Sequence, residues 1–584
     1  MIKKLFRQML LTQILSSMTV LLCLLIDSMV IGRFLGVDSM TAYGLAAPIL
    51  LAFSALGSMI SDGVQVLCGQ TMGSGDREGV NACFTVSVAF AAVIAAVGLI
   101  VCLAFTGPVC TLLGAGEPVA GNDVFFHTRG YLRGFIIGAP AFLFAQIMVP
   151  FMQMSGQRIR LIAAVGLMTA TDVACDLLSV FVFHGGMFGI GLASSVSYYA
   201  ALAVGLAYLC RRSSIFRFRR SLLKWKTGLD LLRCGVPTMV NQLSLVLLTF
   251  VLNKLLLEVG QNVAVAAYSV ISTVGNICYS FSGGIASVAL MLASLLYMDE
   301  DKTGLRDLMR TMLFYALTVC AAVTLVVAAA APWLVRVFLD NAAAEQMAGI
   351  GLRLFALSLV PCAVNTALKN YYQGVQHTGL TQSISVMQNF VFTALFAFVL
   401  SRFFSMTGIW LSFLCGEVLT ALVVWLIVSV RNRKAAVTLD GYALLPPDFG
   451  VRDGDLFERQ IRSAADVTAV AGQMTQFCQL HGRDSRQSAA IGRCLEELGA
   501  DIMRHGFAGQ DKDDCLIDVR LMLKPGETVL RIRDNGVDFD PVQYTQQHRQ
   551  DPADSRRGIR TVMGMVKKAR YVNSMGLNNL TLIL

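Results

Sequence analysis

Apolar residues run in long stretches through the first three quarters of the chain, each closed by a short polar turn. They lie near 9–32, 41–70, 83–105, 128–152, 158–183, 187–210, 235–258, 263–297, 310–334, 352–372, 380–403 and 407–430. A helix needs about 20 apolar residues to cross a hydrocarbon core about 30 Å thick, and each stretch reaches that length. The pattern therefore predicts an all-α polytopic membrane protein with 12 transmembrane helices. The first stretch follows MIKKLFRQ, as a secretory signal would. It runs to about Gly32, longer than the roughly 7 to 15 residues of a signal core, and lacks a small-residue cleavage site. It is read as the first membrane helix. From Asp455 the period changes. An amphipathic stretch around 464–480 and a helix near 486–505 precede the alternating strands CLIDVRLML and TVLRIRDNG, the pattern of a soluble α/β domain.

The two halves of the membrane part repeat each other. AYGLAAPILLAFSALGSMI from Ala42 lies without gaps on AYSVISTVGNICYSFSGGI from Ala267, and Asp76-Arg77 then falls on Asp301-Lys302. Further on, Pro150–Gln153 matches Asn370–Gln373, and Pro140 matches Pro361. A six-helix unit has been duplicated with both copies starting on the same side. Such a parallel repeat turns about an axis along the membrane normal and leaves a central cavity for alternating access. The expected organisation is an N-terminal lobe (1–220), a C-terminal lobe (221–434), a linker (435–454) and a cytoplasmic domain (455–584).

Composition sharpens this picture. With 55% hydrophobic and 15% charged residues the chain falls outside the soluble globular class. Of the 38 acidic residues 18 follow position 450, where they face 19 basic ones, so almost all of the net +9 belongs to the membrane part. That excess is topological and calls for no nucleic acid. If the N-terminus is cytoplasmic, the inside loops hold 21 basic residues, including the run from Arg211 to Arg233 and Arg431, Arg433 and Lys434. The outside loops hold six: Arg33, Arg129, Arg133, Arg336, Arg353 and Arg402. This asymmetry puts both ends of the membrane part, and the soluble domain, on the cytoplasmic side of the plasma membrane. The 15 cysteines are scattered among apolar residues without a CxxC pair, which suits small buried hydrophobes rather than disulfides or zinc.

An ionisable side chain in hydrocarbon costs a few kcal/mol even on lenient scales, so each one asks for a function or a partner. Asp27 in the first span and the pair Asp172 and Asp176 in the fifth stand out. The pair is spaced i, i+4, which sets both carboxylates on one helix face. Such a group can load and release a proton, and its oxygens suit a hard cation such as sodium. Lys254 sits about one turn from a helix end, where it can snorkel. Asp62 and Glu417 are read as incidental, and Pro140 and Pro361 as kinks.

Over residues 1 to about 435 the chain resembles multidrug and toxic compound extrusion (MATE) transporters. The matching segments, in order, are IDSMVIGRFLG, YLRGFIIGAP, TDVACDLLSVF, GMFGIGLASSVS and TGIWLSF. The resemblance implies that an acid of helix 1 and an Asn-x-x-x-Asp pair of helix 5 form the cation-coupling site of the N-terminal lobe. Asp27 and Asp176 match the acids. Asp172 stands where that pattern has Asn, and Ser194 where it often has Thr.

In the soluble domain the segment IRDNGVDFDP puts an acid and a glycine where a strand ends, so that a carboxylate can meet an amino group and the backbone can come close to a ligand. CLEELGADIMRHGF precedes it, SRRGIRTVMG follows, and GLNNLTLIL closes the chain. Together these resemble anti-sigma-factor serine kinases, a branch of the histidine-kinase-type ATPase fold with an α/β sandwich. The resemblance implies nucleotide binding by Glu497, Asp501, Asp534, Gly536 and Gly558, with Glu497 as a base and Asp501, in place of Asn, on Mg²⁺. ATP with Mg²⁺ would be the cofactor, and an anti-sigma-antagonist-like protein a partner. His505 is read as a helix-end residue.

The expected function is export of small amphipathic organic compounds through the lipid bilayer in exchange for H⁺ or Na⁺, with a nucleotide-binding regulatory domain. No GxxxxGK[ST] loop is present to make ATP the driving force. The alternatives are a membrane-tethered serine kinase, in which the soluble domain carries the activity, and a lipid-precursor flippase.

Overall fold

The computed structural model describes the chain apart from Met1, Gly36, Gly114 and residues 116–122, 210–214, 339–341, 433–437, 447–448, 508–514 and 548–555. Arg211, Arg212, Arg433 and Lys434 of the loops expected on the inside, and part of the expected linker, lie outside the described residues, as does the side chain of Arg33. The N-terminal lobe comprises α1 (Ile2–Val30), α2 (Val37–Gly73), α3 (Arg77–Ala104), the short α4 (Thr106–Leu112), α5 (Asp123–Met154), α6 (Arg158–Phe181) and α7 (Gly186–Leu209). The C-terminal lobe comprises α8 (Trp225–Met298), α9 (Lys302–Phe338), α10 (Ala342–Gly374), α11 (Thr378–Val386) and α12 (Phe392–Asn432).

Among the described residues ten helices are long and apolar enough to cross a membrane. This count sits beside the expected twelve for two reasons. The stretch Thr378–Asn432 contains two of the expected spans, divided at Ser405, where the backbone turns to φ 52° and ψ −130°. The first expected span falls in α1, several of whose side chains are outside the described set. Prolines 140 and 361 do lie inside α5 and α10, where a missing N–H opens the helix ladder.

The duplication has a local signature. Asp76 caps α3 by accepting from Gly79 N at 3.0 Å, and its repeat partner Asp301 accepts from Gly304 N at 2.5 Å at the start of α9. An aspartate at this position satisfies an amide left open by the first helical turn. The same residue type starts the same helix in both lobes.

The lobes meet through α2 and α8. A methyl group on Gly63 would lie 2.4 Å from Leu231 O, and one on Gly235 would lie 2.0 Å from Met59 O. Only glycine lets these backbones come so close. The contact lies toward the end of α2 and the start of α8, in the half of the membrane part that carries the soluble domain.

After α13 (Leu439–Tyr442), the soluble domain follows as β1 (Leu456–Ile461), α14 (Ala464–Leu480), α15 (Ser485–Asp501), β2 (Ile517–Lys524), β3 (Glu527–Asp534), α16 (Pro541–Gln547), α17 (Arg557–Met565), β4 (Lys568–Ser574) and β5 (Leu577–Ile583). Ser463 and Asp466 form a reciprocal capping box that starts α14. The five strands are ordered β1-β2-β3-β5-β4, every neighbour antiparallel. One face packs Ile517, Val519, Leu521, Leu530 and Ile532 against apolar residues of α14, α15 and α17. Alternation along a strand sends Arg531 and Arg533 to the other face. Arg520 pairs in register with Arg531, so three guanidinium groups share that face.

Candidate ion-coupling site

Asp27 stands one turn before the end of α1, where the chain passes into a π-turn at Ile31–Leu35. Such turns mark functional positions more often than chance. Asp172 and Asp176 project from one face of α6, and Ser194 from α7. The fold brings all four together. One carboxylate oxygen from each aspartate lies within 4.8 Å of those of the other two, and Ser194 Oγ donates to Asp27 Oδ2 at 3.2 Å. The three aspartates are at most 2% exposed.

Four of their oxygens, Asp27 Oδ1, Asp172 Oδ2 and both of Asp176, have no hydrogen-bond partner among the described residues. Buried acceptors without donors are costly, and buried unpaired charge more so. The arrangement is complete only with positive charge among the carboxylates. Protons supply it, and so does a hard cation, for which an all-oxygen set with a hydroxyl beside it is a fitting donor group.

A cavity of about 400 Å³ opens between the lobes, lined by residues of α1, α2, α5, α6 and α7 on one side and of α8 and α10 on the other. Met168 and Tyr198 belong both to its wall and to the apolar cluster that holds Cys23 and Ile31 near the acids. The cavity and the acidic site thus share side chains without merging.

Sequence reasoning missed a hydrogen-bond chain at the cavity. Gln153 donates to Gln13, Gln13 to Ser287 at 2.8 Å, Ser287 to Gln65 at 3.0 Å and Gln65 to Asp62 at 3.0 Å, while Thr238 donates to Asp62 at 2.6 Å. It crosses from the N-terminal to the C-terminal lobe twice. Asp62, read as incidental, is its acceptor. The signal available was the recurrence of Gln and Ser inside otherwise apolar stretches. Glu417 is likewise held, by Asn365 Nδ2 at 2.8 Å and Gln388 Nε2 at 3.2 Å. Lys254 is exposed and stays apart from the cavity.

In the soluble domain a cavity of about 130 Å³ is lined by Asp501, His505, Asp534, Phe539, Arg556 and Asn578 among others. Asp534 accepts from Asn578 Nδ2 at 2.8 Å and Gly536 N at 2.9 Å. Burial pushes its carboxyl up to about 6, against the pull of those two donors. Asp501 is ion-paired with Arg556 at 3.6 Å, whose guanidinium lies 4.1 Å over the Phe539 ring. Glu497 and Gly558 meet each other instead of lining the cavity: a methyl group on Gly558 would fall 2.1 Å from Glu497 Oε2. Of the five residues expected at a nucleotide, two line the cavity, and Gly536 acts on one of them through its N–H.

The family model described as MatE matches residues 13–169 and 237–399, more than half of the chain and both lobes. The chain belongs to the MatE family. The multidrug export protein MepA of Staphylococcus saprophyticus is 22% identical over 409 residues, covering 69% of this chain and 88% of that protein. MepA of Staphylococcus aureus is 21% identical over 404 residues, with 68% and 87% covered. Among solved structures, the Vibrio cholerae MATE transporter VcmN in its bent form superposes with a TM-score of 0.67 at 18% identity, covering 73% of this chain and 95% of that one. A MOP superfamily transporter of Pyrococcus furiosus gives 0.68 at 18% identity, with 74% and 96% covered. This MatE protein therefore carries the family's membrane fold in its two lobes, and its soluble domain falls outside the residues matched by the family model.

Proposed function

We propose that this MatE protein is a secondary antiporter that exports small amphipathic organic compounds in exchange for H⁺ or Na⁺. The observation that supports it is the enclosed group of three carboxylates, four of whose oxygens have no partner among the described residues, beside an interlobe cavity. Asp27, Asp172, Asp176 and Ser194 hold the ion. Loading or unloading them changes the charge inside the N-terminal lobe, and so biases which side of the membrane the cavity faces. That the similar MepA proteins are multidrug export proteins supports the same reading. Both termini lie in the cytoplasm on this reading, as the loop charges favour. Proteoliposomes loaded with ethidium test it under imposed pH and sodium gradients without nucleotide. Gradient-driven movement of the dye is expected; movement that depends strictly on ATP hydrolysis refutes the antiporter.

The soluble domain is read as a nucleotide-responsive regulator. Its 130 Å³ cavity is below the about 300 Å³ of a whole-ligand site, and fits a purine ring with Asp534 accepting from its amino group. Asp501 would hold Mg²⁺ only after leaving Arg556. A carboxylate at Asp534 accepts this hydrogen bond and a carboxylic acid does so less well. Adenine nucleotide affinity is therefore expected to fall as pH drops through about 6, approaching a tenfold loss one unit lower. Titration of a fluorescent ADP against the full-length protein checks this; pH-independent affinity contradicts it.

A further inference from the structure

The soluble domain touches both lobes, and it does so at loops related by the internal repeat. On the N-terminal lobe, Arg570 Nη1 donates to Ser74 O at 2.7 Å and Arg77 pairs with Asp540 at 2.5 Å. On the C-terminal lobe, the arginine face of the sheet closes on the turn before α9. Arg533 Nη2 lies 2.5 Å from Asp299 Oδ2, Arg531 Nη1 lies 2.9 Å from Asp299 Oδ1, and Arg520 Nη2 lies 2.5 Å from Asp301 Oδ1. Lys524 pairs with Glu300 at 2.7 Å. Ser74–Arg77 and Asp299–Lys302 are the same turn in the two copies of the repeat, by the alignment of Asp76 with Asp301.

A second related pair of turns is covered as well. Met575 N donates to Met154 O, and Gly156, with φ 71°, sits so close that a methyl group there would lie 2.7 Å from Gly576 N. Its counterpart after α10 meets the segment leading into the domain: His377 Nε2 lies 2.9 Å from Leu444 O, and Tyr372 OH donates to Tyr442 O at 3.0 Å. A single rigid sheet and its lead-in segment therefore grip four turns, two from each lobe.

The pairs at Asp299 and Asp301 are built as a buried joint, while Arg77–Asp540 and Lys524–Glu300 are partly exposed. Asp299 and Asp301 are 4% and 7% exposed, and Arg520, Arg531 and Arg533 are 9% exposed or less. Burial alone would raise the Asp301 carboxyl, but Arg520, Arg533 and the Gly304 N–H outweigh it and hold it below the usual carboxylate range. The same half of the membrane part carries the close α2–α8 approach and the hydrogen bonds of Gln13, Gln65 and Asp62 across the lobes.

In an alternating-access transporter the two lobes must part at this end to admit substrate from it. Parting moves the Ser74–Arg77 turn away from the Asp299–Lys302 turn, and a sheet bound to both cannot follow both. We propose that the soluble domain is an intramolecular clamp, which holds this end of the cavity closed by bridging repeat-related turns of the two lobes and must release one lobe before the end can open. The inference deepens the antiporter reading and rests on alternating access within it. The N-terminal grip includes Asp540, flanked by Phe539 and Pro541 of the 130 Å³ cavity, so cavity and grip share one segment.

The test uses full-length protein in lipid nanodiscs and amide hydrogen exchange read by mass spectrometry. Two variants undo the clamp from opposite lobes: Asp299→Ala with Asp301→Ala, and Arg77→Ala with Arg570→Ala. In both, amides of 59–73 and 287–298 are expected to exchange about tenfold faster or more as the end opens, while those of Leu521 and Ile532 inside the sheet stay protected. Exchange at 59–73 and 287–298 that stays slow in both variants overturns the clamp, whether or not the arginine face itself becomes exposed. Gradient-driven efflux measured in parallel separates the two ideas. Faster exchange in a protein that never moves substrate refutes the antiporter and leaves the clamp, and normal efflux with unchanged exchange does the reverse.

Discussion

Asp176→Asn and Asp27→Asn are each expected to reduce gradient-driven export to the level of the leak. Among the described residues, both Asp176 oxygens and one of Asp27 have no protein donor, which on the proposed mechanism leaves them to the proton or cation. A charge-assisted interaction of this kind is worth about 1.5–3 kcal/mol, which is roughly 10- to 150-fold in ion affinity. The amide keeps the shape and removes the charge, so the fold should persist. Asp172→Asn should be milder. It restores the amide that the related pattern carries at this position, and its expected effect is a change in which ion drives export. Dye efflux under separate pH and sodium gradients reads all three, and full export by Asp176→Asn would remove the site from the mechanism.

Gly235→Val is expected to have the next largest effect, through shape alone. Its first side-chain carbon would fall 2.0 Å from Met59 O, a backbone atom of the facing lobe that cannot rotate away. Overpacking of this kind costs about 1–3 kcal/mol, and here the cost falls only on the state in which the lobes touch. A two-state equilibrium between closed and open should then shift by about 5- to 150-fold toward open at the end bearing the soluble domain. Cys234, the neighbouring residue and only partly buried, is a native reporter. Its alkylation by a membrane-impermeant maleimide, followed by peptide mass, should accelerate in the variant. An unchanged rate would mean that the α2–α8 approach does not close the cavity. Gly63→Val, against Leu231 O, should act in the same direction.

What could be read from the chain was whatever is local. Apolar length located the spans, a 19-residue gap-free match exposed the duplication, and the i, i+4 spacing of Asp172 and Asp176 already set both on one face. The capping residues Asp76 and Asp301 were visible as part of the repeat before their hydrogen bonds were. Long-range placement was not visible. That Asp27 meets Asp172 and Asp176 depends on how α1 packs on α6, and only the family resemblance hinted at it. Asp62 looked like a stray charge because its partners Gln65 and Thr238 sit in different lobes. In the soluble domain, Glu497, Asp501 and Gly558 were placed by their order along the chain. The fold turns Glu497 toward Gly558 and gives Asp501 to Arg556, a residue that no spacing argument would have selected. The arginine face of the sheet was present in the alternation of β2 and β3, but its meaning depends on the acidic turn more than 200 residues earlier in the chain.

On the proposed mechanism one enclosed set of carboxylates links ion movement to substrate movement. Linkage is reciprocal, so substrate running down its own gradient must drive the ion the other way. The most direct measurement is ion flux into proteoliposomes, followed with an internal pH dye and with radioactive sodium, when ethidium is allowed to leave with no ion gradient imposed. Inward movement of H⁺ or Na⁺ is expected with wild-type protein and none with Asp176→Asn. Ethidium that leaves without any ion entering would contradict the account.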